Sequence, residues 1–285
     1  MMLHFLIFLC GAVSAVLVIA CIFGIKHAFE TCEYRKEETE YYKSLTGTLG
    51  SNINWNIDKH GTLFITGNGE IEEISSQVSP WIYYFDEVKK AVISDGITNI
   101  PDYMFSKCSS LVEVIIPNSV KTIGASSFDG CFDLKSIHIP CNVTYIGLHA
   151  FNNCINLTEI IIPYCVTDIG PAILDGCQKL QSVKLSNNIS QITEEMFQNC
   201  NNLREVVIPN NVTQICEFAF RCFGNEDGLK KITIPKSVVC IESKAFAACG
   251  NLSDVYYLGS EDDWDKINIH PDNSGLVNAN IYFLG

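Results

Sequence analysis

The chain has 285 residues, of which 47% are hydrophobic, and this apolar content is ample for a core. Its formal net charge is −13. This charge excludes a nucleic-acid partner, because a phosphate backbone binds to a basic surface.

The first element in chain order is an uncharged run from Leu3 to Ile25. A helix rises about 1.5 Å per residue, so this run is long enough to span a hydrocarbon layer of roughly 30 Å. Its length and the lack of a preceding Lys or Arg argue against a cleaved signal peptide. We therefore expect a transmembrane signal anchor at residues 1–27. The alternative is a bacterial lipoprotein cleavage box that ends at Cys21, which would then be acylated.

A charged segment follows, and we expect residues 28–45 to form a juxtamembrane stalk. Lys26, Arg35, Lys36 and Lys43 lie just after the apolar run. The positive-inside rule would keep these cations in the cytoplasm, and the repeats with them. Orientation in the membrane is therefore left open by the charges alone.

The longest part of the chain is an internal repeat, and its most regular position is an isoleucine at 100, 123, 146, 169, 192, 215 and 241. The intervals are 23 residues five times and then 26. A period of this length predicts a stacked solenoid. One unit carries an apolar stripe too large for 23 residues to cover, so each unit is buried against its neighbours.

Within a unit, the pattern predicts two short extended segments and one tight turn. The alternation from Val114 to Pro117 predicts a strand that ends at proline, which cannot donate the next ladder hydrogen bond. The following Val-x-x-Ile predicts a second strand, and Gly147 to Cys154 suits a tight helical turn. Equivalent strands of successive units then pair in parallel, about 4.8 Å apart.

Two units depart from the pattern. The unit after Ile215 has three extra residues around Phe223 to Gly228, where we expect a surface loop. The unit from Ile169 has Pro171 and Leu174 in place of small and aromatic residues, and Ser186 in place of proline. We expect these substitutions to be tolerated locally.

The signature Leu-x-x-apolar-x-apolar-Pro-x-x-Val-x-x-Ile-Gly-x-x-x-Phe-x-x-Cys resembles the BspA-like leucine-rich repeats, which also occur in treponemal surface proteins. The segments GTLGSNINWNIDKHGTLFITGNGEIEE and VKKAVISDGITNI resemble the entry hairpin and first degenerate repeat of that family. The segments VYYLGSEDDWDKINI and NANIYF resemble its C-terminal cap. The resemblance implies a leucine-rich-repeat solenoid of about seven units, with an N-terminal cap at 46–98, repeats at 99–255 and a C-terminal cap at 256–285. It also implies an extracytoplasmic location.

The cysteines, histidines and acidic residues give no sign of chemistry. Six cysteines occupy one column of the repeat, where we expect a buried ladder of small side chains; these are Cys108, Cys131, Cys154, Cys177, Cys200 and Cys249. Cys216 and Cys240 come from adjacent units, and only their Cα distance decides whether they can form a disulfide. No spacing fits a zinc site or a nucleophile with its base. We predict no metal, no cofactor and no enzymatic activity.

The acidic run from Glu261 to Asp265 has two interpretations. It could attract calcium, but calcium loops need a defined series of oxygen ligands and a turn glycine. A solvated turn of the cap is the interpretation that we favour.

The outward positions of the strand ladder are the candidate binding site. If this ladder forms the inner face, the residues between the buried ones point outward and stack in columns. Ile115, Ile161 and Val207 are then exposed aliphatic side chains, which could mark a binding strip or could reflect only the preference of β-branched residues for strands. The candidate residues are Glu113, Ile115, His138, Glu159, Ile161, Lys184, Arg204, Glu205, Val207 and Tyr256.

We therefore expect a membrane-anchored, non-enzymatic protein that mediates recognition or adhesion at the cell surface. Its partner would be a host, matrix or neighbouring-cell protein rather than a small molecule. The alternative is a cytoplasm-facing scaffold that assembles partner proteins through the same repeat face, which suits the cations after the apolar run and the many thiols.

Overall fold

The computed structural model describes residues 45–73, 79–222 and 228–285. The chain divides into two compact units, Met1–Thr46 and Gly47–Gly285. The predicted anchor at 1–27, nearly all of the predicted stalk at 28–45 and most of the predicted loop after Ile215 lie outside the described residues. Within the described part of the chain, no helix has both the length and the apolar character needed to cross a membrane.

The second unit is a solenoid of about eight turns made of short strands. In chain order the strands are β1 (Thr46–Thr48), β2 (Ile53–Ile57), β3 (Thr62–Gly67), β4 (Lys90–Ile93), β5 (Asn99–Ile100), β6 (Glu113–Ile115), β7 (Thr122–Ile123), β8 (Ser136–Ile137), β9 (Tyr145–Ile146), β10 (Glu159–Ile161), β11 (Asp168–Ile169), β12 (Ser182–Lys184), β13 (Gln191–Ile192), β14 (Glu205–Val207), β15 (Gln214–Ile215), β16 (Lys231–Pro235), β17 (Cys240–Ile241), β18 (Asp254–Leu258), β19 (Asn268–Ile269) and β20 (Asn280–Phe283).

Each turn adds one strand to each of two parallel ladders. The first ladder contains β4 and the even-numbered strands that follow it, and the second contains the odd-numbered strands from β5 to β19. At its N-terminal end the first ladder begins with β1, β2 and β3, where β2 and β3 form an antiparallel hairpin and β3 pairs in parallel with β4. The parallel solenoid of leucine-rich-repeat type is therefore confirmed.

Phenylalanines stack in a column through the interior. The ring of Phe128 lies 5.2 Å from that of Phe105 and 5.5 Å from that of Phe151, with nearly parallel planes. A second stack contains Phe197, Phe220 and Phe246. Because each ring is covered by its own copy in the next turn, one residue type can fill the position repeatedly without leaving a void.

The predicted cysteine column is buried, and its thiols also make hydrogen bonds. Each thiol from Cys131 to Cys200 donates to the carbonyl of the aromatic or leucine position one turn earlier, as Cys154 does to Phe128 O at 3.3 Å. Cys249 donates to Phe220 O at 3.0 Å. The column therefore links successive turns as well as filling space. Neither Cys216 nor Cys240 forms a disulfide.

The segment from Gly147 to Cys154 is a run of tight turns. Hydrogen bonds run from Ala150 N to Gly147 O and from Cys154 N to Phe151 O, which is the three-residue spacing of a tight helical turn. His149 and Asn153 have positive φ values of 56° and 55°, so the run does not continue as a helix. A Cβ on Gly147 would stand 2.5 Å from Ala125 N, so the close approach of successive turns requires glycine here.

The irregular unit from Ile169 forms a seam in the solenoid. Leu174 is fully buried at the phenylalanine position and separates the two aromatic stacks. Ser186, also buried, replaces the proline and donates to Val166 O at 2.7 Å. The second ladder is interrupted here, between β11 and β13. The structure thus accommodates each substitution within its own turn.

The C-terminal cap contains two short helices, α1 (Glu261–Trp264) and α2 (Ser274–Val277). The acidic run forms the first turn of α1, where Ser260 is the N-cap and forms a capping box with Asp263. Lys236 Nζ lies 3.0 Å from Asp263 Oδ2. Its hydrogen bond, followed by that of Ser260, holds the pKa of Asp263 well below its usual value. Acidic side chains are favourable at a helix N-terminus, so the run has a structural role.

Candidate functional site

The outward residues of the first ladder form the surface that we call the strand face. Ladder pairing places Glu159 beside Ser136 and Ser182, and Ile161 beside Lys184. Further along, Glu205 pairs with Lys231, and Val207 pairs with Thr233, which itself pairs with Tyr256. The register therefore places the candidate residues of each column one strand apart.

Aliphatic side chains on the strand face are unusually exposed. Ile161 is 60% exposed, Val207 59% and Ile115 44%. The residues that alternate with them along each strand, such as Val114 and Ile160, are buried. The two-residue alternation of a strand thus separates a core-facing set from an outward set.

A groove of about 560 Å³ lies at the middle of the strand face. Its lining includes Ile161, His138 and Lys184 from three successive turns, with Glu159 beside them and Tyr164 at the edge. Tyr164 is 67% exposed. The groove brings together four of the predicted residues and adds an aromatic side chain that the prediction omitted.

The predicted residues outside the groove have different surroundings. Glu113 forms an ion pair with Lys90 at 2.9 Å, and both side chains are partly exposed. Arg204 is half-buried and donates from Nη1 to Gly228 O at 3.2 Å. Tyr256 stacks on Tyr282 with ring centroids 5.2 Å apart. Arg204 and Tyr256 are thus held by their own turns, and the groove does not include them.

Asparagine amides border the strand face where each strand has ended. Asn142 donates to Asn118 O at 2.6 Å, and Asn211 donates to Asn187 O at 2.7 Å, each across one turn. Asn188 makes the same bond to Tyr164 O at 2.6 Å. These bonds satisfy carbonyls that have left the ladder, and they fix the backbone beneath Tyr164.

Tyr164 was missed because the analysis considered only positions within the strands. It follows Pro163, at a position held by Cys141 one turn earlier and Asn187 one turn later. A hydrogen bond with Cys165, and then the charge of that thiolate, raise the pKa of Tyr164. The signal available in the sequence was a large aromatic residue in a column that is otherwise small or polar.

A second concavity, of about 590 Å³, lies on the turn side of the solenoid. Phe85, Phe132 and Ile155 line it, together with Lys107 and Asp129. Burial is the main cause that raises the pKa of Asp129. Phe132 follows the cysteine column directly, and no strand pattern marks that position.

The described residues offer no arrangement for chemistry. Within residues 45–73, 79–222 and 228–285, no group of three or more His, Cys, Asp or Glu side chains could hold a metal ion. Burial raises the pKa of the thiols of Cys108 and Cys249 to about 12. These thiols are therefore protonated at neutral pH, a state that makes poor nucleophiles and metal ligands.

Comparison with known proteins gives a family match. A family model described as the BspA type leucine rich repeat region matches residues 72–203 and 221–263 in six copies, which is more than half of the chain. No curated protein matches the chain.

Several solved structures share the fold. A leucine-rich repeat protein from Bacteroides ovatus has a TM-score of 0.55 at 23% identity, covering 82% of this chain and 70% of that one. A leucine rich cell surface protein from Faecalibacterium prausnitzii has a TM-score of 0.47 at 20% identity, covering 79% and 97%. The T. pallidum leucine rich repeat protein has a TM-score of 0.47 at 20% identity, covering 72% and 90%.

Proposed function

We propose that this chain, which belongs to the BspA-type leucine-rich repeat family, is a non-enzymatic recognition protein that binds a protein ligand through its strand face. The observation that carries the proposal is Ile161, which is 60% exposed and lines a groove on a parallel ladder. The ligand would be a host, matrix or neighbouring-cell protein. The predicted anchor at residues 1–27 would hold the repeats at the cell surface.

The groove supports protein binding because it combines apolar area with charge. Burial of exposed aliphatic area against a partner stabilises a complex by about 25 cal/mol for each Å² removed from water. His138, Lys184 and Glu159 lie around Ile161 and could supply polar contacts at the rim. Hydrogen bonds between turns hold the backbone in place, so little ordering entropy is lost on binding.

Membrane anchoring and the extracellular location rest on sequence arguments. The uncharged run from Leu3 to Ile25 is long enough for one membrane span. The family resemblance to treponemal surface proteins favours an outward-facing repeat domain. The alternative, a cytoplasm-facing scaffold, is favoured by the exposed Cys141 and the half-exposed Cys165, which are free thiols and typical of a reducing compartment.

The first test decides on which side of the membrane the repeats lie. A C-terminal tag on the full chain is exposed to protease on intact cells and on permeabilised cells. We expect the tag to be lost on intact cells. Protection until permeabilisation would contradict surface recognition and would favour the cytoplasmic scaffold.

The second test asks whether the strand face binds. A photo-crosslinking amino acid replaces Ile161 in one version of the chain and Tyr145, which is exposed on the second ladder, in a matched version. We expect a crosslinked protein adduct from position 161, weakened when Val207→Lys is added, and no such adduct from position 145. Equal adducts from both positions, or none from 161, would mean that the strand face is not the binding surface.

A further inference from the structure

The strand face has a period of two turns, which the 23-residue repeat does not require. On β6, β10 and β14 the two outward positions are a glutamate and an aliphatic residue. On the turns between them, these positions are a serine followed by a cation, Ser136 with His138 and Ser182 with Lys184. Along one column the order is therefore Ile115, His138, Ile161, Lys184 and Val207.

The fold alone does not explain this alternation. Like charges on adjacent strands repel, so a neutral residue between successive glutamates is favourable. In the glutamate column the neutral residue is serine, which is small and polar. In the cation column it is Ile161 or its equivalent, with 60% of Ile161 left in water. Separating the cations would be achieved equally well by threonine or serine, so the aliphatic side chains need another reason.

The spacing of these side chains selects one conformation of partner. Strands about 4.8 Å apart give a two-turn period of about 9.6 Å. A polyproline II segment presents the same face every three residues, and its rise of about 3.1 Å per residue gives a period of about 9.3 Å. Two turns of α-helix advance about 10.8 Å, and an extended strand repeats every two residues, about 6.7 Å.

The difference accumulates over the exposed aliphatic residues. From Ile115 to Val207 there are two such periods. A polyproline II segment drifts by about 0.6 Å over this distance, whereas an α-helix drifts by about 2.4 Å. Side-chain adjustment absorbs the first difference but not the second at every contact.

The edge of the groove fits the same partner. Polyproline II segments have no internal hydrogen bonds and bind in grooves lined by aromatic side chains. Tyr164, 67% exposed, stands at the edge of the groove that Ile161 lines. Its backbone is fixed by the amide of Asn188 at 2.6 Å.

We infer that the strand face binds a protein segment in the polyproline II conformation, laid along the ladder, with an apolar residue such as proline at every third position. Between the apolar residues it carries one acidic residue, for His138 and Lys184, and one basic residue, for the glutamate column. This inference rests on the proposed function, since it names the partner of the same surface.

The test uses a fluorescent twelve-residue peptide with the sequence Pro-Lys-Glu repeated four times, and fluorescence anisotropy as the readout. A control peptide has the same composition but irregular proline spacing. The matched protein variant exchanges two exposed residues, Ile161→Lys with Lys184→Ile, which keeps composition and net charge and destroys the two-turn period. Circular dichroism checks that the variant folds, and Ile161→Ser serves as a second variant if it does not.

We expect the periodic peptide to bind the native chain at least tenfold more tightly than the control peptide. We also expect the exchange, or Ile161→Ser, to remove that preference. Equal binding of both peptides, no binding of the periodic one, or an unchanged preference in the variants would overturn the inference. If position 161 still crosslinks a protein in that case, the proposed function stands with a partner of another conformation, and if it does not, both fail.

Discussion

The interior and the strand face of this solenoid follow different rules although the same turns build both. In the interior, the position of Phe128 is filled by the same residue type one turn before and one turn after, at Phe105 and Phe151. On the strand face, Ile161 alternates with His138 and Lys184. Interior side chains must pack against their own copies, and outward side chains need not. A regular pattern on the outside therefore reports something other than stacking.

The largest effect is expected from breaking an interior stack. Phe128→Ala removes a fully buried ring that lies between two others, and we expect a loss of about 3–5 kcal/mol in the free energy of unfolding. Urea unfolding monitored by circular dichroism measures it. Phe132→Ala, at a site that is 46% exposed, is the control and should cost less than half as much. Similar losses for both variants would show that the interior columns do not dominate stability.

A second way to test the interior is to force two turns apart. Gly147→Ala places a methyl group 2.5 Å from Ala125 N, which is backbone and cannot move aside cheaply. We expect a loss of about 1–3 kcal/mol, the usual cost of overpacking. Thermal unfolding of this variant is compared with that of Gly250→Ala, whose new methyl group would meet nothing within 4 Å. The control should be neutral or slightly stabilising, because alanine restricts the unfolded chain.

The cysteine column makes stability depend on alkaline pH. Burial raises the pKa of Cys108 and Cys249 from 9.0 to about 12 in the folded chain. Above pH 9 the unfolded chain loses these protons while the folded chain keeps them, so the stability present below pH 9 falls as pH rises towards 12. Each such thiol contributes up to about 1.4 kcal/mol per pH unit in this window.

The measurement is the free energy of unfolding at several pH values between 8 and about 11, the range set by these shifts. Cys108→Ala should have a shallower decline than the native chain, by about one proton in linkage terms. Val143→Ala, which removes apolar contacts from the interior and no titrating group, should be less stable but keep the native slope. An unchanged slope in Cys108→Ala would contradict a protonated buried thiol.

The sequence predicted what stacking enforces. The period of 23 residues, the two ladders and the buried cysteine column all follow from side chains that recur at fixed spacing, such as Ile123, Ile146 and Ile169. The donation from Cys154 to Phe128 O was not predicted, because it depends on how one turn is offset from the next. The positive φ of His149 was also invisible, since no glycine marks that position.

The candidate site was predictable in part. The strand pattern alone placed Ile161, His138 and Lys184 in one outward column, and ladder pairing sets Lys184 beside Ile161. Tyr164 was missed because it lies after the proline, where no strand alternation tells which side is outward. The two-turn alternation was present in the sequence but emerges only when outward positions are compared by themselves. Whether the strand face binds a partner stays a prediction.

The smallest expected effect decides what the exposed aliphatic residues are for. Ile161→Lys with Val207→Lys changes side chains that are 60% and 59% exposed, and surface substitutions usually alter stability by about 0.5 kcal/mol or less. If the residues serve a partner, unfolding in urea should be nearly unchanged while crosslinking from the neighbouring position 184 is lost. If they serve the sheet through β-propensity, the free energy of unfolding should fall by about 1 kcal/mol or more. Stability and binding thus give opposite answers for the two roles, and this surface would then be assigned by measurement rather than by its pattern.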